Sequence, residues 1–549
     1  MKKILCSALF ACCVSGVSAQ LWPVQPVLLK DIAPGITRGV RFLSPYPADN
    51  RLIFSASLNN VGDNMLWASD GTTAGTNMIP VVTGATGNIT PDNFFQWNGN
   101  QYHAAAYQGM NLYKTGAVNQ DSIGKLYETS SANVRVAIDS MGSTLYYLFI
   151  DPFVGGVFAT TGPGNRTQLA SPGPQLIGNS IGAAGGKIYY QAVSPGAGNE
   201  LWATDVTTNT HALVKDIHPA GSSDPEFLGK LGNKILFAAT DVINGRELWV
   251  SDGTAAGTVL LADCNAGDLS GDPARLMVWN NKAYFTAKIN STQNSTLWST
   301  DGTPGGTAEV WGRSGSTLLG TISNVPINMG SFLIFQGNDT AGRELWRTDG
   351  TNAGTFRFKD LRPYNGINQG SMLSGALIQQ NVIDGRLYFH ASDSSLNDQE
   401  LWVTDGTDTG THLVCNLFPG TSNARGVSSD ALAVCKYDGR IYFVGNNGQT
   451  GFEVFSFPAP PPVSPVTGIA AFPTAGQTLR LFPNPTTGVV TIGELEESDV
   501  VVTTDVAGRV IRHSHRSGMV DISSLVPGNY TLSVIRNGRL TGSARVTRL

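Results

Sequence analysis

ELWVSDGTAAGT (247–258), TLWSTDGTPGGT (296–307), ELWRTDGTNAGT (344–355) and ELWVTDGTDTGT (400–411) are four copies of one phrase. MLWASDGTTAGT (65–76) is a fifth, and ELWATDVTTNT (200–210) is a sixth that departs at Val206. Weaker copies are NLYKTG (111–116), GVFATTGPGNRT (156–167) and FEVFSF (452–457). One aromatic marks each copy: Trp67, Tyr113, Phe158, Trp202, Trp249, Trp298, Trp346, Trp402 and Phe455. The steps between them are 46, 45, 44, 47, 49, 48, 56 and 53 residues. A period of this size belongs to a propeller or another repeat array.

Each unit reads as four short strands. An apolar segment such as PEFLGKL (225–231) or DALAVCKY (430–437) opens it. A second strand follows, as in KILFAAT (234–240), RLYFHAS (386–392) or RIYFVGN (440–446), then the LW strand. After the Asp-Gly turn comes a last strand such as HALVKDI (211–217) or TFRFKDL (355–361). Helical periodicity is absent, and Gly, Thr, Asn and Pro punctuate the chain about every ten residues. One small antiparallel sheet cannot bury both faces, whereas stacked sheets can. The expectation is an all-β protein, a β-propeller of eight to nine four-stranded blades. VLLKDIAPG (27–35) matches the last strand of a unit, HALVKDIHPAG (211–221), while the final unit has no such strand before the proline-rich stretch. The leading strand is therefore expected to complete the final blade and close the ring, which removes exposed sheet edges.

The Asp residues of the phrase (Asp70, Asp205, Asp252, Asp301, Asp349 and Asp405) have two readings. As calcium ligands they would offer hard oxygens, but a calcium loop collects several carboxylates and these offer one each. As turn residues they would bind downstream backbone N–H groups while Gly takes positive φ. The turn reading is preferred, and no cofactor is expected. Trp67, Trp202, Trp249, Trp298, Trp346 and Trp402 are read as inter-blade packing residues rather than sugar platforms. Over most of residues 27–457 the chain resembles the ELWxxDGT-repeat family of secreted bacterial proteins. That resemblance implies a large extracellular repeat protein and supplies no catalytic residues.

Composition excludes several classes. Charged residues make up 14%, against a typical ~25%. The formal net charge is −5, so the basic patch that nucleic acid requires is not indicated. A hydrophobic content of 41% supports a folded core rather than disorder.

The N-terminus, MKKILCSALFACCVSGVSAQ, has a basic start, a short apolar run and small residues at its end. It reads as a secretory signal peptide (residues 1–19) cleaved between Ala19 and Gln20; the rival is a lipoprotein signal at Cys12. No later segment is long and apolar enough for a transmembrane helix. Cleavage would leave Cys264, Cys415 and Cys435, with Cys415 and Cys435 either disulfide-bonded or buried as small hydrophobes. The repeat region spans 20–457 and a proline-rich linker 458–476, opening with PAPPPVSP. Residues 477–549 form a separate module of short strands, expected to be a small β-sandwich. It carries Pro483-Asn484-Pro485, the Asp505-x-x-Gly508-Arg509 turn and the L-x-x-G-x-Y segment with Gly528 and Tyr530. In these motifs it resembles the type A C-terminal sorting domain of type IX secretion cargo. The resemblance implies export across a Gram-negative outer membrane, with the type IX machinery as partner, and release or attachment at the cell surface.

No P-loop, G-x-S-x-G or H-E-x-x-H motif occurs. The loops INSTQNST (289–296) and SDSSLNDQ (392–399) are individual to their units and suit hydrogen bonding to a sugar or peptide, or are simply solvated. Three functions remain. A non-catalytic binding or adhesion module for glycan or protein is preferred. The others are an extracellular polysaccharide hydrolase or lyase, and a structural envelope or matrix component.

Overall fold

The computed structural model describes residues from Trp22 to Arg548, omitting many connecting segments, of which the longest are 80–90, 362–378, 418–433 and 463–476. The protein is all-β. Helix among the described residues is confined to two 3-10 turns, Pro304–Gly306 and Gln379–Asn381. Among the described residues the repeat region forms nine antiparallel sheets, eight of four strands and one of five, together with a small hairpin of Arg313–Ser314 and Thr317–Leu318. The strands within each of these sheets follow chain order, apart from Thr321–Ile322 and Ile327–Asn328, which both pair with Leu333–Asp339, and one further exception described below.

The chain divides into two compact units, 1–130 with 378–463, and 131–377 with 464–549. In the second unit the sheets pack face to face in succession. Ile235, Phe237 and Ala239 of the Lys234–Asp241 strand share a core with Tyr189 and Leu201 of the preceding sheet. Leu236, on the other face, joins Ala283 and Phe285 of the following sheet. Both faces of this strand are covered, which is why it reads as a continuous apolar run rather than an alternating one. The first unit repeats the arrangement: Phe54 and Trp67 pack with Tyr442, and Phe443 packs with Tyr388.

The further exception to chain order lies in the first unit. Val27–Lys30 pairs antiparallel with Phe452–Pro458, Val27 opposite Ser456 and Lys30 opposite Val454. The register slips between Leu28 and Lys30, leaving Leu29 as a buried bulge. The same slip recurs where a last strand meets its LW strand: between Leu201 and Trp202, Leu248 and Trp249, Leu297 and Trp298, Leu345 and Trp346, and Leu401 and Trp402. The bulged residues Val214, Leu261, Val310, Phe358 and Val414 are all buried. A bulge re-aims side chains; here it turns an extra apolar residue inward at the same place in these six sheets.

The C-terminal module has one five-stranded and one four-stranded sheet. Its core joins Val490, Ile492 and Val520 to Val501, Tyr530 and Leu532.

Candidate functional site

The repeated turn has one geometry at five places. In Asp252–Thr258, Asp252 Oδ1 accepts from the Thr254 backbone N–H at 2.9 Å and the Thr254 hydroxyl at 2.7 Å. Thr254 Oγ1 in turn accepts from Gly257 N–H at 2.9 Å, and the Thr258 hydroxyl donates to the Thr254 carbonyl at 2.7 Å. Gly253 N–H donates to Ser251 Oγ. Asp70, Asp301, Asp349 and Asp405 head the same network. These bonds hold the carboxyls of Asp70, Asp252 and Asp301 below the usual carboxylate range, the threonine hydroxyl first among the causes. The first Gly sits at φ +84° at Gly253 and up to +91° at Gly350, a region that suits glycine. At the second Gly, as at Gly257, a Cβ would overlap the Asp carboxylate. Asp205 departs from the pattern, its Oδ1 accepting from Thr207 and Thr208 N–H. Among the described residues no three His, Cys, Asp or Glu side chains converge.

The tryptophans lie inside the inter-sheet cores. Trp67, Trp249 and Trp298 are buried, each in a cluster spanning its own sheet and the preceding one. Trp402 is buried as well, and its indole N–H donates to the Ala391 carbonyl. Trp202 and Trp346 are partly buried against the equivalent clusters. A lysine from the preceding sheet reaches across twice. Lys30 Nζ donates to Thr76 O at 2.6 Å over the Trp67 ring, and Lys215 Nζ donates to Thr258 O at 2.8 Å over Trp249. Each contact ties the end of one sheet to the turn of the next.

The glutamate before Leu-Trp in four units, and before Val454-Phe455 in the last, is a site residue that the motif reading passes over, although its recurrence at one place in an apolar strand is the available signal. Glu200, Glu247, Glu344, Glu400 and Glu453 are buried. Glu247 accepts from Cys264 N–H at 3.1 Å and Gly271 N–H at 2.5 Å; Glu200 accepts from Ile217 N–H and Ser223 N–H, each at 3.0 Å. Glu344 and Glu400 receive Leu361 and Leu417 N–H in the same way. The carboxylate thus fastens the loop that leads to the next sheet. Burial pushes Glu247 up to about 7 and also raises Glu200.

In the second unit a polar surface lies at the opposite end of the LW strands from the Asp-Gly turns. Asp224 Oδ1 accepts from Asn199 Nδ2 at 2.8 Å and Gln191 Nε2 at 3.1 Å. Arg246 donates to the Asp224 carbonyl at 2.7 Å and to Glu226 at 2.9 Å. Beside it the Asp241 carboxylate ties back the N–H groups of Ile243 and Asn244, presenting Val242 and Ile243 at 59% and 74% exposure. Leu269, 45% exposed, lies on the loop that packs against Gly245. Of the two loops singled out in the sequence, 291–294 and all of 392–399 lie outside the described residues.

Ala19 and Gln20 also lie outside the described residues, as do Pro483, Asn484, Pro485 and Gly508. Asp505 ends the Val500–Asp505 strand, which pairs with Val510–His513. Gly528 opens Gly528–Arg536, and Tyr530 is buried. Cys264, Cys415 and Cys435 are buried free thiols. No described helix is long and apolar enough to cross a membrane.

Residues 480–546 match the family model described as the secretion system C-terminal sorting domain. The match supports a protein sorted for export by the type IX secretion system, secreted or displayed at the cell surface. No curated protein matches the chain. Among solved structures, a puromycin hydrolase mutant is 12% identical with a TM-score of 0.34, covering 66% of this chain and 58% of its own. Oligopeptidase B from Leishmania major is 10% identical with a TM-score of 0.35, covering 67% and 52%. TolB from Acinetobacter baumannii is 11% identical with a TM-score of 0.29, covering 53% and 75%. The chain thus spans less than two thirds of the hydrolase and the oligopeptidase, and at these scores the likeness assigns it no activity.

Proposed function

We propose that this is an ELWxxDGT-repeat protein whose repeat region is a β-propeller, and that it is a non-catalytic binding or adhesion module for glycan or protein outside the cell. The nine-fold period, the recurring bulge and the strand added by Val27–Lys30 support the propeller reading. The binding reading rests on the polar surface around Asp224. There Gln191, Asn199 and Arg246 are held in fixed orientations beside an apolar step of Val242, Ile243 and Leu269. Such a mixture of fixed hydrogen-bonding groups and apolar area is what a sugar ring or an extended peptide needs. The machinery that exports the chain is the other partner, and no metal or cofactor is invoked.

The test is a glycan and protein array probed with the mature chain. Saturable binding that an Asn199→Ala, Arg246→Ala double variant weakens at least tenfold is the expected result. Release of product from a polysaccharide would overturn the reading in favour of a hydrolase or lyase. Absence of binding to any component would favour a structural part of the envelope or matrix.

A further inference from the structure

Asp-Gly is a chemically fragile pair. The Gly amide nitrogen attacks Cγ of the Asp, forming an N–Cγ bond. A Cγ–O bond of the protonated carboxyl breaks, and its hydroxyl leaves with the amide proton as water. Water then reopens the cyclic imide at either carbonyl, and one product carries the main chain through the side chain as isoaspartate. The repeat sets five such pairs in its turns, Asp70-Gly71, Asp252-Gly253, Asp301-Gly302, Asp349-Gly350 and Asp405-Gly406, with the Asp exposed in the first four and partly exposed at Asp405. Positive φ at the first glycine ties the turn to this pair.

We propose that the threonine after each Asp-Gly pair is a lock against this rearrangement, holding the Asp carboxylate away from the glycine amide. Three features of the turn support it. The Asp Oδ1 is bound by the threonine N–H at 2.9–3.0 Å and by its hydroxyl at 2.6–2.7 Å in all five turns. The attacking amide is engaged as well, since each glycine N–H donates to the preceding Ser or Thr hydroxyl at 2.9–3.0 Å. The second glycine packs directly against the carboxylate, so a side chain there would push the acid out of this seat. The same bonds favour the ionised acid, which is the poorer electrophile.

The chain contains its own comparisons. At Asp205 the next residue is Val206, whose branched side chain itself hinders ring closure; there the Thr208 hydroxyl pairs with Thr210. Asp384-Gly385 and Asp438-Gly439 lie at hairpin turns with φ of +51° and +42° at the Asp, and the residues that follow are Arg386 and Arg440 rather than threonine.

The test is ageing of the purified full chain at neutral pH in isotopically heavy water, followed by peptide mapping. In the native protein isoaspartate is expected at Asp438 ahead of the five turn positions. Thr254→Val is expected to raise isoaspartate at Asp252 several-fold and to leave the other four turns unchanged, while Thr254→Ser keeps the native rate. Thr258→Val loosens the same turn without touching the carboxylate and is expected to leave Asp252 slow. Three results would overturn the proposal: an unchanged rate at Asp252 in Thr254→Val, equal acceleration in Thr258→Val, or turn positions that age as fast as Asp438 in the native chain.

Discussion

Gly257 shows how tightly single residues of the repeat are specified. Its Cα packs where the Asp252 carboxylate leaves no room for a methyl group. Gly257→Ala is expected to cost about 1–3 kcal/mol, read as a lower urea midpoint at unchanged slope. The buried Glu247 and His390 pull the pH dependence of stability in opposite directions. Glu247 is pushed up from 4.5 to about 7 by burial, so the folded state binds more protons across that window and stability falls as pH rises through it. Glu247→Gln should remove that fall, which can reach about 1.4 kcal/mol per pH unit. His390 is buried, and burial pushes it from 6.5 down to about 3. The unfolded chain then binds the extra proton, and stability is lost as pH falls below 6.5. His390→Leu should flatten that acid limb. Urea titrations of both variants between pH 4 and 8 separate the two effects.

At the scale of elements, the contacts that matter join neighbouring sheets. Lys215 bonds the carbonyl of Thr258 in the next sheet and covers Trp249. Lys215→Met keeps most of the packing and loses a charge-assisted hydrogen bond, an expected cost of about 1–2 kcal/mol in a denaturant titration. The leading strand has a larger role. Val27–Lys30 covers the edge of Phe452–Pro458, Val24 N–H donates to Val414 O, and Trp22 stacks against His412 at 6.4 Å. Deleting residues 22–30 leaves a long unpaired edge, which is a template for pairing between chains. The expected outcome is a lower melting temperature together with concentration-dependent aggregation, followed by light scattering. Much of this was legible in advance, because the VLLKDI and HALVKDI segments share one pattern. The slip before Trp was not legible. An extra residue in a strand shows only when the partner strand fixes the register, and the partner is chosen by packing.

At the scale of the whole molecule, the C-terminal module supplies the address. Truncation after residue 462 removes every strand of the matched sorting domain. It is expected to abolish appearance of the protein in the medium or at the cell surface and to leave it inside the envelope, as fractionation with antibody detection would show.

The sequence by itself determined the repeat, its period, the all-β class and the sorting module, because these follow from local turn chemistry and from patterns that recur along the chain. The Asp-Gly-Thr turn is the clearest case: its partners lie within seven residues, so its bonds are nearly implied by its spelling. Tertiary structure alone decided what the buried glutamates do, which lysine reaches which turn, and how Asn199, Asp224 and Arg246 meet. Those contacts join segments some 15 to 45 residues apart. Their geometry is set by how sheets stack and strands slip, which no local pattern encodes.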